Sequence, residues 1–112
     1  MTEMKEIKKI LLACAGGFST SMLVEKMKEE AQKRGLSVVI DATAQTAIDK
    51  EIDSISVVLL GPQMSHAEKG LKEKYGAKVP IAVIPMMDYG MMNGEKVLNQ
   101  ALELIENFEG GL

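Results

Sequence analysis

The sequence is poor in the residue types on which several classes of protein depend. Its 112 residues include one cysteine, one histidine and no tryptophan. A single cysteine excludes an intramolecular disulfide and a multi-cysteine metal site, and a single histidine excludes a histidine-rich metal site. No uninterrupted apolar run approaches the roughly 18 residues that a membrane-spanning helix requires. The first residues lack the layout of a signal peptide, so we expect a cytoplasmic protein.

The sequence also has no strong excess of positive or negative charge. Thirteen Lys and Arg stand against sixteen Asp and Glu, which gives a formal charge of −3. This mild acidity argues against a nucleic-acid-binding protein, which needs a basic face. The length suits one domain, and no linker or repeat divides it. We therefore expect residues 1–112 to form a single domain with its core at about 7–108.

Short apolar runs alternate along the chain with longer stretches of helical periodicity. The short runs predict strands and the periodic stretches predict helices. Strands are predicted over 7–13, 37–41, 55–60 and 79–84, and helices over 19–34, 44–52, 65–75 and 95–108. Gly35 and Gly76 stand where helix caps belong. Pro85 ends the last strand and opens a predicted loop over 85–93, and the tail 109–112 is expected to fray.

Strands that alternate with helices predict a parallel α/β sheet covered by helices on both faces, which is a three-layer domain. In such sheets, ligands bind beyond the carboxyl ends of the strands. The first predicted strand ends at Ala13, and the only cysteine follows it directly. The segment between that strand and the next helix is Cys14, Ala15, Gly16, Gly17, Phe18, Ser19, Thr20 and Ser21.

The chemistry of this segment suits a phosphoryl group carried on sulfur. Glycines at 16 and 17 let the chain turn tightly with its N–H groups facing inwards. The following helix presents unpaired N–H groups and the positive end of its dipole, which together favour an anion and the nucleophilic thiolate. We predict that Cys14 is the nucleophile. Backbone and hydroxyl donors of residues 15 to 21 are predicted to hold the phosphate.

Each of these features also has a simpler interpretation. A free cysteine is often a buried, inert side chain, and a glycine-rich loop often does no more than lead into a helix cap. Their coincidence at the end of the first strand favours a functional site. The choice between a phosphoryl carrier, a small cysteine phosphatase and a non-enzymatic regulator stays open at this point.

An arginine is absent where a phosphatase would need one. Low-molecular-weight protein tyrosine phosphatases also place a cysteine loop after the first strand, and their arginine stands six residues after the cysteine. Thr20 occupies that position here, and Arg34, the only arginine, comes at the far end of the predicted helix. Without a guanidinium the loop is poorly equipped to stabilise a phosphoryl transition state by itself. This favours a carrier whose phosphocysteine must persist.

Three blocks of sequence resemble enzyme IIB of the lactose/cellobiose class, the phosphocysteine subunit of the bacterial sugar phosphotransferase system. They are residues 10–21 (ILLACAGGFSTS), 57–63 (VVLLGPQ) and 88–94 (DYGMMNG). The resemblance runs from about residue 9 to residue 108. It implies a four-stranded parallel sheet of order 2-1-3-4, similar to the fold of the low-molecular-weight tyrosine phosphatases.

The resemblance also implies a function. A histidine-phosphorylated enzyme IIA would donate its phosphoryl group to Cys14, and a membrane enzyme IIC would present the sugar that receives it during uptake. No metal or organic cofactor is implied. The class suggests a β-linked disaccharide such as cellobiose, chitobiose or lactose. We expect a cytoplasmic monomer that associates transiently with its permease.

Further candidates follow the third and fourth predicted strands, whose ends should lie beside the cysteine loop. Gln63, Met64, Asp88 and Tyr89 could form a polar rim of the phosphate site or contact a partner, although loop and cap residues would look the same. Methionines 86, 87, 91 and 92 suit either a soft docking surface or the core. We expect His66 to be a solvated surface residue.

Overall fold

A computed structural model gives the fold of the chain. It describes residues 8–14, 18–44 and 48–110, with the side chains of residues 14, 18, 19 and 110 outside the described part. The strands are β1 (Lys8–Cys14), β2 (Val38–Ala44), β3 (Val57–Leu60) and β4 (Ile81–Val83). The α-helices are α1 (Phe18–Lys33), α2 (Ile48–Glu51), α3 (Glu68–Tyr75), α4 (Met86–Gly90) and α5 (Gly94–Gly110). Two 3₁₀ segments, Ile52–Ser54 and Pro62–Ala67, precede β3 and α3.

The four strands form one parallel sheet in the order β2-β1-β3-β4, which confirms the predicted topology. β1 is therefore a central strand. Its last residues pair with the ends of both neighbours: Ala13 lies opposite Leu60, and Cys14 lies opposite Ala44. The chain passes from β1 to β2 on one side and then to β3 on the other, so the topological switch point lies at the carboxyl end of β1.

Alternate side chains of β1 supply two separate cores. Ile10 and Leu12 are fully buried on one face of the sheet, and Leu11 and Ala13 are fully buried on the other. Helices α1 and α5 cover the first face, while α2 and α3 cover the second. The predicted three-layer arrangement is therefore confirmed.

The amphipathic pattern of α1 accounts for its packing. Leu23, Met27 and Ala31 recur every four residues and are buried in the first core. Gly35 ends the helix in the left-handed conformation, with φ of 69°. The N–H groups of Gly35 and Leu36 donate back to the carbonyls of Gln32 and Ala31, which is the Schellman pattern. The predicted cap at Gly35 is confirmed, whereas Gly76 caps α3 in a right-handed conformation.

Several predicted boundaries were wrong, each for a local reason. β2 continues to Ala44 because it pairs with β1 along its whole length, and the helix predicted over 44–52 shrinks to Ile48–Glu51 and a 3₁₀ turn. Residues 45–47 lie outside the described part. The predicted loop over 85–93 contains α4, which begins directly after Pro85. The last helix extends to Gly110, so the predicted frayed tail overlaps it, and residues 111 and 112 are not described.

Strand β4 and helix α3 are shorter than predicted. β4 spans Ile81–Val83 of the predicted 79–84. The stretch Pro62–Ala67 forms a 3₁₀-helix that leads into α3, so the α-helix itself begins at Glu68. Within the described ranges, none of the helices is long and apolar enough to cross a bilayer.

Candidate functional site

The backbone of Cys14 forms the carboxyl end of the central strand, and α1 begins four residues later. Its side chain lies outside the described residues, as do Ala15, Gly16, Gly17 and the side chains of Phe18 and Ser19. The predicted nucleophile and most of the predicted phosphate loop therefore stay predictions. The structure describes the two elements that flank this loop, β1 before it and α1 after it.

Thr20 lies in the first turn of α1, and its side chain is directed into the protein. It is 1% exposed. Its hydroxyl oxygen lies 3.0 Å from the hydroxyl oxygen of Tyr89, and either group can donate the hydrogen bond. The buried hydroxyl is thus satisfied by a residue from a distant part of the chain. Ser21, the last residue of the predicted phosphate loop, is exposed.

Gly61 is the first residue after β3, and its backbone contacts the end of β1. Its N–H donates to the carbonyl of Ala13 at 3.3 Å. A Cβ at this position would lie 2.9 Å from the side-chain oxygen of Gln63 and 3.6 Å from a ring carbon of Tyr89. The absence of a side chain at position 61 therefore lets the Gln63 amide approach the backbone here, whereas the Tyr89 ring would be in ordinary van der Waals contact with a Cβ. Gln63 is exposed at this edge, as a rim residue would be.

Met64 and Asp88 differ in what they can offer. Met64 is 5% exposed and packs in the second core, so its side chain presents no surface to a partner. Asp88 is partly exposed, and its carbonyl accepts a hydrogen bond from the N–H of Asn93 at 2.9 Å. The side chain of Asn93 in turn accepts from the N–H of Lys96, which caps the first turn of α5.

The methionines of this region divide between surface and core. Met86, Met87 and Met91 are 76%, 74% and 72% exposed, which is unusual for large apolar side chains. Met92 packs against the first core and adopts a left-handed backbone conformation, with φ of 52°. Three of the four residues therefore form an exposed methionine surface at and beyond α4, and the fourth belongs to the packing.

Arg34 and His66 are the two remaining residues that the sequence analysis considered. Arg34 stands at the opposite end of α1, where its guanidinium donates to Glu30 at 2.9 Å and to Asn99 at 2.7 Å. The hydrogen bond from Arg34 and the attraction of Arg34 and Lys33 outweigh desolvation and hold the pKa of Glu30 below its usual range. His66 is exposed on the 3₁₀ segment, as expected. The described part of the chain contains no cluster of three residues suited to a metal ion.

Sequence reasoning found the cysteine segment and the loops beside it, but it missed two of their connections. The Thr20–Tyr89 hydrogen bond joins residues 69 positions apart. The sequence places Gly61 directly after the third predicted strand, but it does not predict the hydrogen bond from its N–H to the carbonyl of Ala13. No local pattern marks either contact. The order of the strands, which brings the ends of β1, β3 and β4 to one edge, is the signal that could have suggested both.

Comparison with known proteins gives a consistent match along the chain. Residues 9–100 match the family model of the lactose/cellobiose-specific IIB subunit of the PTS system. The oligo-β-mannoside-specific EIIB component of Bacillus subtilis is 46% identical over 102 residues, which span 90% of this chain and 99% of the relative. A more distant relative, the lactose-specific EIICB component of Lacticaseibacillus casei, is 32% identical over 73 residues, or 62% of this chain and 13% of that protein.

A solved structure supports the same match. The solution structure of the cellobiose-specific phosphotransferase IIB component from Borrelia burgdorferi has a TM-score of 0.77 and 42% sequence identity. The match covers 89% of this chain and 93% of that one.

Proposed function

Because the chain belongs to the lactose/cellobiose-specific IIB family of the phosphotransferase system, we propose that Cys14 is the residue that carries its phosphoryl group. Membership makes the chain a phosphotransferase component of sugar uptake. The observation that carries the proposal is the position of Cys14. The only cysteine of the chain ends the central strand at the topological switch point, directly before the amino end of a long helix.

The proposed chemistry consists of two displacements at phosphorus. In the first, the Cys14 thiolate attacks the phosphohistidine of an enzyme IIA. An S–P bond forms, the P–N bond breaks, and the imidazole leaves with the electron pair and takes up a proton from solvent. In the second, a hydroxyl of a sugar held by a membrane enzyme IIC attacks phosphorus. An O–P bond forms, the S–P bond breaks, the thiolate is restored, and the sugar hydroxyl gives up its proton to solvent.

The amino end of α1 supplies what these steps need from the protein. α1 begins at Phe18, and the first N–H groups of an α-helix have no carbonyl acceptor one turn earlier. Together with the helix dipole they stabilise the dianionic phosphoryl group at residues 15 to 21. Thr20 contributes through its position in the helix, since its hydroxyl is engaged by Tyr89.

A carrier fits the surroundings better than a phosphatase. The position six residues after Cys14 holds a threonine whose side chain is 1% exposed and lies 3.0 Å from the Tyr89 hydroxyl, so this position supplies no guanidinium to the phosphate. Arg34 is held by Glu30 and Asn99 at the other end of α1. Without arginine the loop can hold a phosphoryl group but lacks the charge that speeds its loss to water.

The two proposed partners would meet the same edge of the sheet. The methionine surface of Met86, Met87 and Met91 offers flexible, polarizable contacts beside this edge, with Gln63 and Asp88 at its rim. The relative named as an EIICB component supports a close association with enzyme IIC. We expect a cytoplasmic monomer that uses this edge for each partner in turn.

The proposed acceptor is a β-linked disaccharide, such as cellobiose, chitobiose or lactose. Two of the proteins described above are named for different sugars, an oligo-β-mannoside and cellobiose. Their sequences are nevertheless similarly close to this chain, at 46% and 42% identity. We infer that the choice of sugar lies with the membrane partner that binds it.

Reconstitution tests the proposal. Phosphoenolpyruvate, the upstream carriers, the cognate IIA and membranes containing the cognate IIC are combined with this chain, and sugar phosphate is measured. Cys14→Ser is expected to abolish transfer, and His66→Gln, which removes the only histidine, is expected to leave it unchanged. Transfer that survives Cys14→Ser, or steady aryl-phosphate hydrolysis at rates typical of phosphatases, would contradict the proposal.

A further inference from the structure

We propose that Tyr89 is a positioning residue which, together with Gly61, fixes the two ends of the segment that carries Cys14. The inference rests on the proposed function, because it assigns these residues to the cysteine phosphate loop. It adds a distant part of the chain to that loop. The argument depends on the described residues on either side of the segment, Ala13 before it and Thr20 after it.

The first anchor holds the entry to the segment. The carbonyl of Ala13 accepts a hydrogen bond from the N–H of Gly61 at 3.3 Å. Ala13 is fully buried, and it lies opposite Leu60 in the sheet. The chain thus enters the segment from a position fixed by β3 and by the first residue after β3.

The second anchor holds the exit. The hydroxyl of Thr20, in the first turn of α1, lies 3.0 Å from the hydroxyl of Tyr89. Thr20 is 1% exposed, so water does not compete effectively for this bond, and a buried bond of this kind is stronger than an exposed one. The helix turn whose N–H groups face the proposed phosphate is therefore tied to α4.

Tyr89 is itself well placed to act as a fixed support. Its N–H donates to the carbonyl of Pro85 at 3.0 Å, and its carbonyl accepts from the N–H of Met92 at 3.1 Å. Its side chain packs against the first core. A phenol ring has few rotatable bonds, so it holds its hydroxyl in place at a low cost in conformational entropy.

The same ring lies near both anchors. One of its carbons lies 3.6 Å from the place where a Cβ of Gly61 would stand, while its hydroxyl lies 3.0 Å from that of Thr20. Tyr89 therefore lies between Gly61, the first residue after β3, and Thr20, in the first turn of α1. Preset donors stabilise a charge without reorganising during the reaction, so fixing both ends of the segment should speed phosphoryl transfer.

The alternative is that the Thr20–Tyr89 hydrogen bond contributes only to the stability of the fold. Removing each hydroxyl separately distinguishes this role from a role in positioning the segment. Tyr89→Phe and Thr20→Val each remove one hydroxyl with little change in volume, and Thr20→Ser retains the hydroxyl. Tyr75→Phe removes the only other tyrosine hydroxyl, on the opposite face of the sheet. For each variant, single-turnover phosphorylation is followed against the concentration of phosphorylated IIA, and urea unfolding confirms that the fold persists.

We expect Tyr89→Phe and Thr20→Val each to lower the maximal rate by about two- to tenfold, the effect of losing one hydrogen bond. The half-saturating IIA concentration should not change. The double variant should be no slower than Tyr89→Phe alone, because Tyr89→Phe already breaks the bond that Thr20→Val removes. Tyr75→Phe should transfer as the wild type does, and Thr20→Ser, which keeps the hydroxyl, should transfer faster than Thr20→Val.

Three results would overturn the inference while leaving the proposed function intact. They are wild-type maximal rates in Tyr89→Phe and Thr20→Val, additive losses in the double variant, or a change confined to the half-saturating concentration. A wild-type chain that takes up no phosphoryl group, or a Cys14→Ser variant that still does, would instead overturn the proposed function and with it this inference.

Discussion

Gly94, the first residue of α5, lies directly against the backbone of Lys26 in α1. A Cβ on Gly94 would stand 2.6 Å from the carbonyl carbon of Lys26 and 2.7 Å from its oxygen. Gly94 is buried, and its position follows closely on the α4 helix that carries Tyr89. This close approach therefore sets the distance between two helices and helps to place α4 at the carboxyl edge of the sheet.

Gly94→Ala should lower the free energy of unfolding by about 1–3 kcal/mol, which is typical of overpacking a closely packed site. The atoms in the way belong to the backbone of α1, so they cannot rotate aside as the end of a side chain would. Urea unfolding measures the change.

Gly70→Ala is the matched control for this prediction. Gly70 lies in α3, and apart from its chain neighbours and the backbone of its own helix, no heavy atom of the described residues stands within 4 Å of the place where its Cβ would be. Alanine there should stabilise the protein by about 0.5–1 kcal/mol, because it is the better helix former. Equal effects of the two substitutions would show that the contact with Lys26 does not limit the packing.

The pairing of Glu30 with Arg34 should make stability depend on pH. The hydrogen bond from Arg34 lowers the pKa of Glu30 in the folded chain, and the charges of Arg34 and Lys33 lower it further against a smaller opposing effect of desolvation. A carboxylate with a lowered folded pKa contributes stability that is fully present above its unfolded pKa. That contribution is lost as the pH falls through the folded value.

Glu30→Gln should therefore destabilise the protein at neutral pH, and its difference from the wild type should shrink as the pH falls below the ordinary glutamate range. Urea unfolding over a pH series checks this. In an Arg34→Met background the same substitution should lose most of its pH dependence. A difference that stays constant from neutral to acidic pH would contradict the account of this pair.

The methionine surface should act in partner affinity and contribute little to folding. Met86→Gln with Met87→Gln should raise the half-saturating concentration of phosphorylated IIA by about fivefold or more, since central interface residues are typically worth roughly 1 kcal/mol or more. The maximal transfer rate and the urea midpoint should stay unchanged, because both side chains are about three-quarters exposed.

Val39→Thr provides a comparable change away from this surface. Val39 is 42% exposed on β2, opposite Lys9 near the start of β1. The Val39→Thr substitution should leave phosphoryl transfer unaffected. If the double methionine variant binds its donor as tightly as Val39→Thr does, the surface does not dock enzyme IIA.

Much of the fold was predictable from local chemistry. The continuous apolar residues of β3 predict a strand buried on both faces, and the four-residue repeat of Leu23, Met27 and Ala31 predicts the buried face of α1; both are confirmed. Gly35 was predictable as a cap because a left-handed residue there favours glycine. The end of β2 at Ala44 was not predictable, since it depends on pairing with the full length of β1.

The candidate site was predictable in its position and only partly in its contacts. The cysteine, the glycines and the following helix are adjacent in sequence, so their chemistry could be read together. The roles of Gly61 and Tyr89 depend on strand order and on a ring that lies near both Gly61 and Thr20, and no local pattern encodes either feature. Gln63 and Met64 both follow β3 in the sequence, so either could be a rim residue. Only the packing of the 3₁₀ segment shows that Met64 is buried while Gln63 is exposed.

The most direct test of the central claim is the intact mass of the chain after incubation with phosphoenolpyruvate and the purified upstream carriers, including the cognate enzyme IIA. The wild type should gain the mass of one phosphoryl group, and Cys14→Ser should gain none. A wild type that stays unmodified, or a phosphoryl group that persists in Cys14→Ser, would contradict the assignment of Cys14 as the carrier.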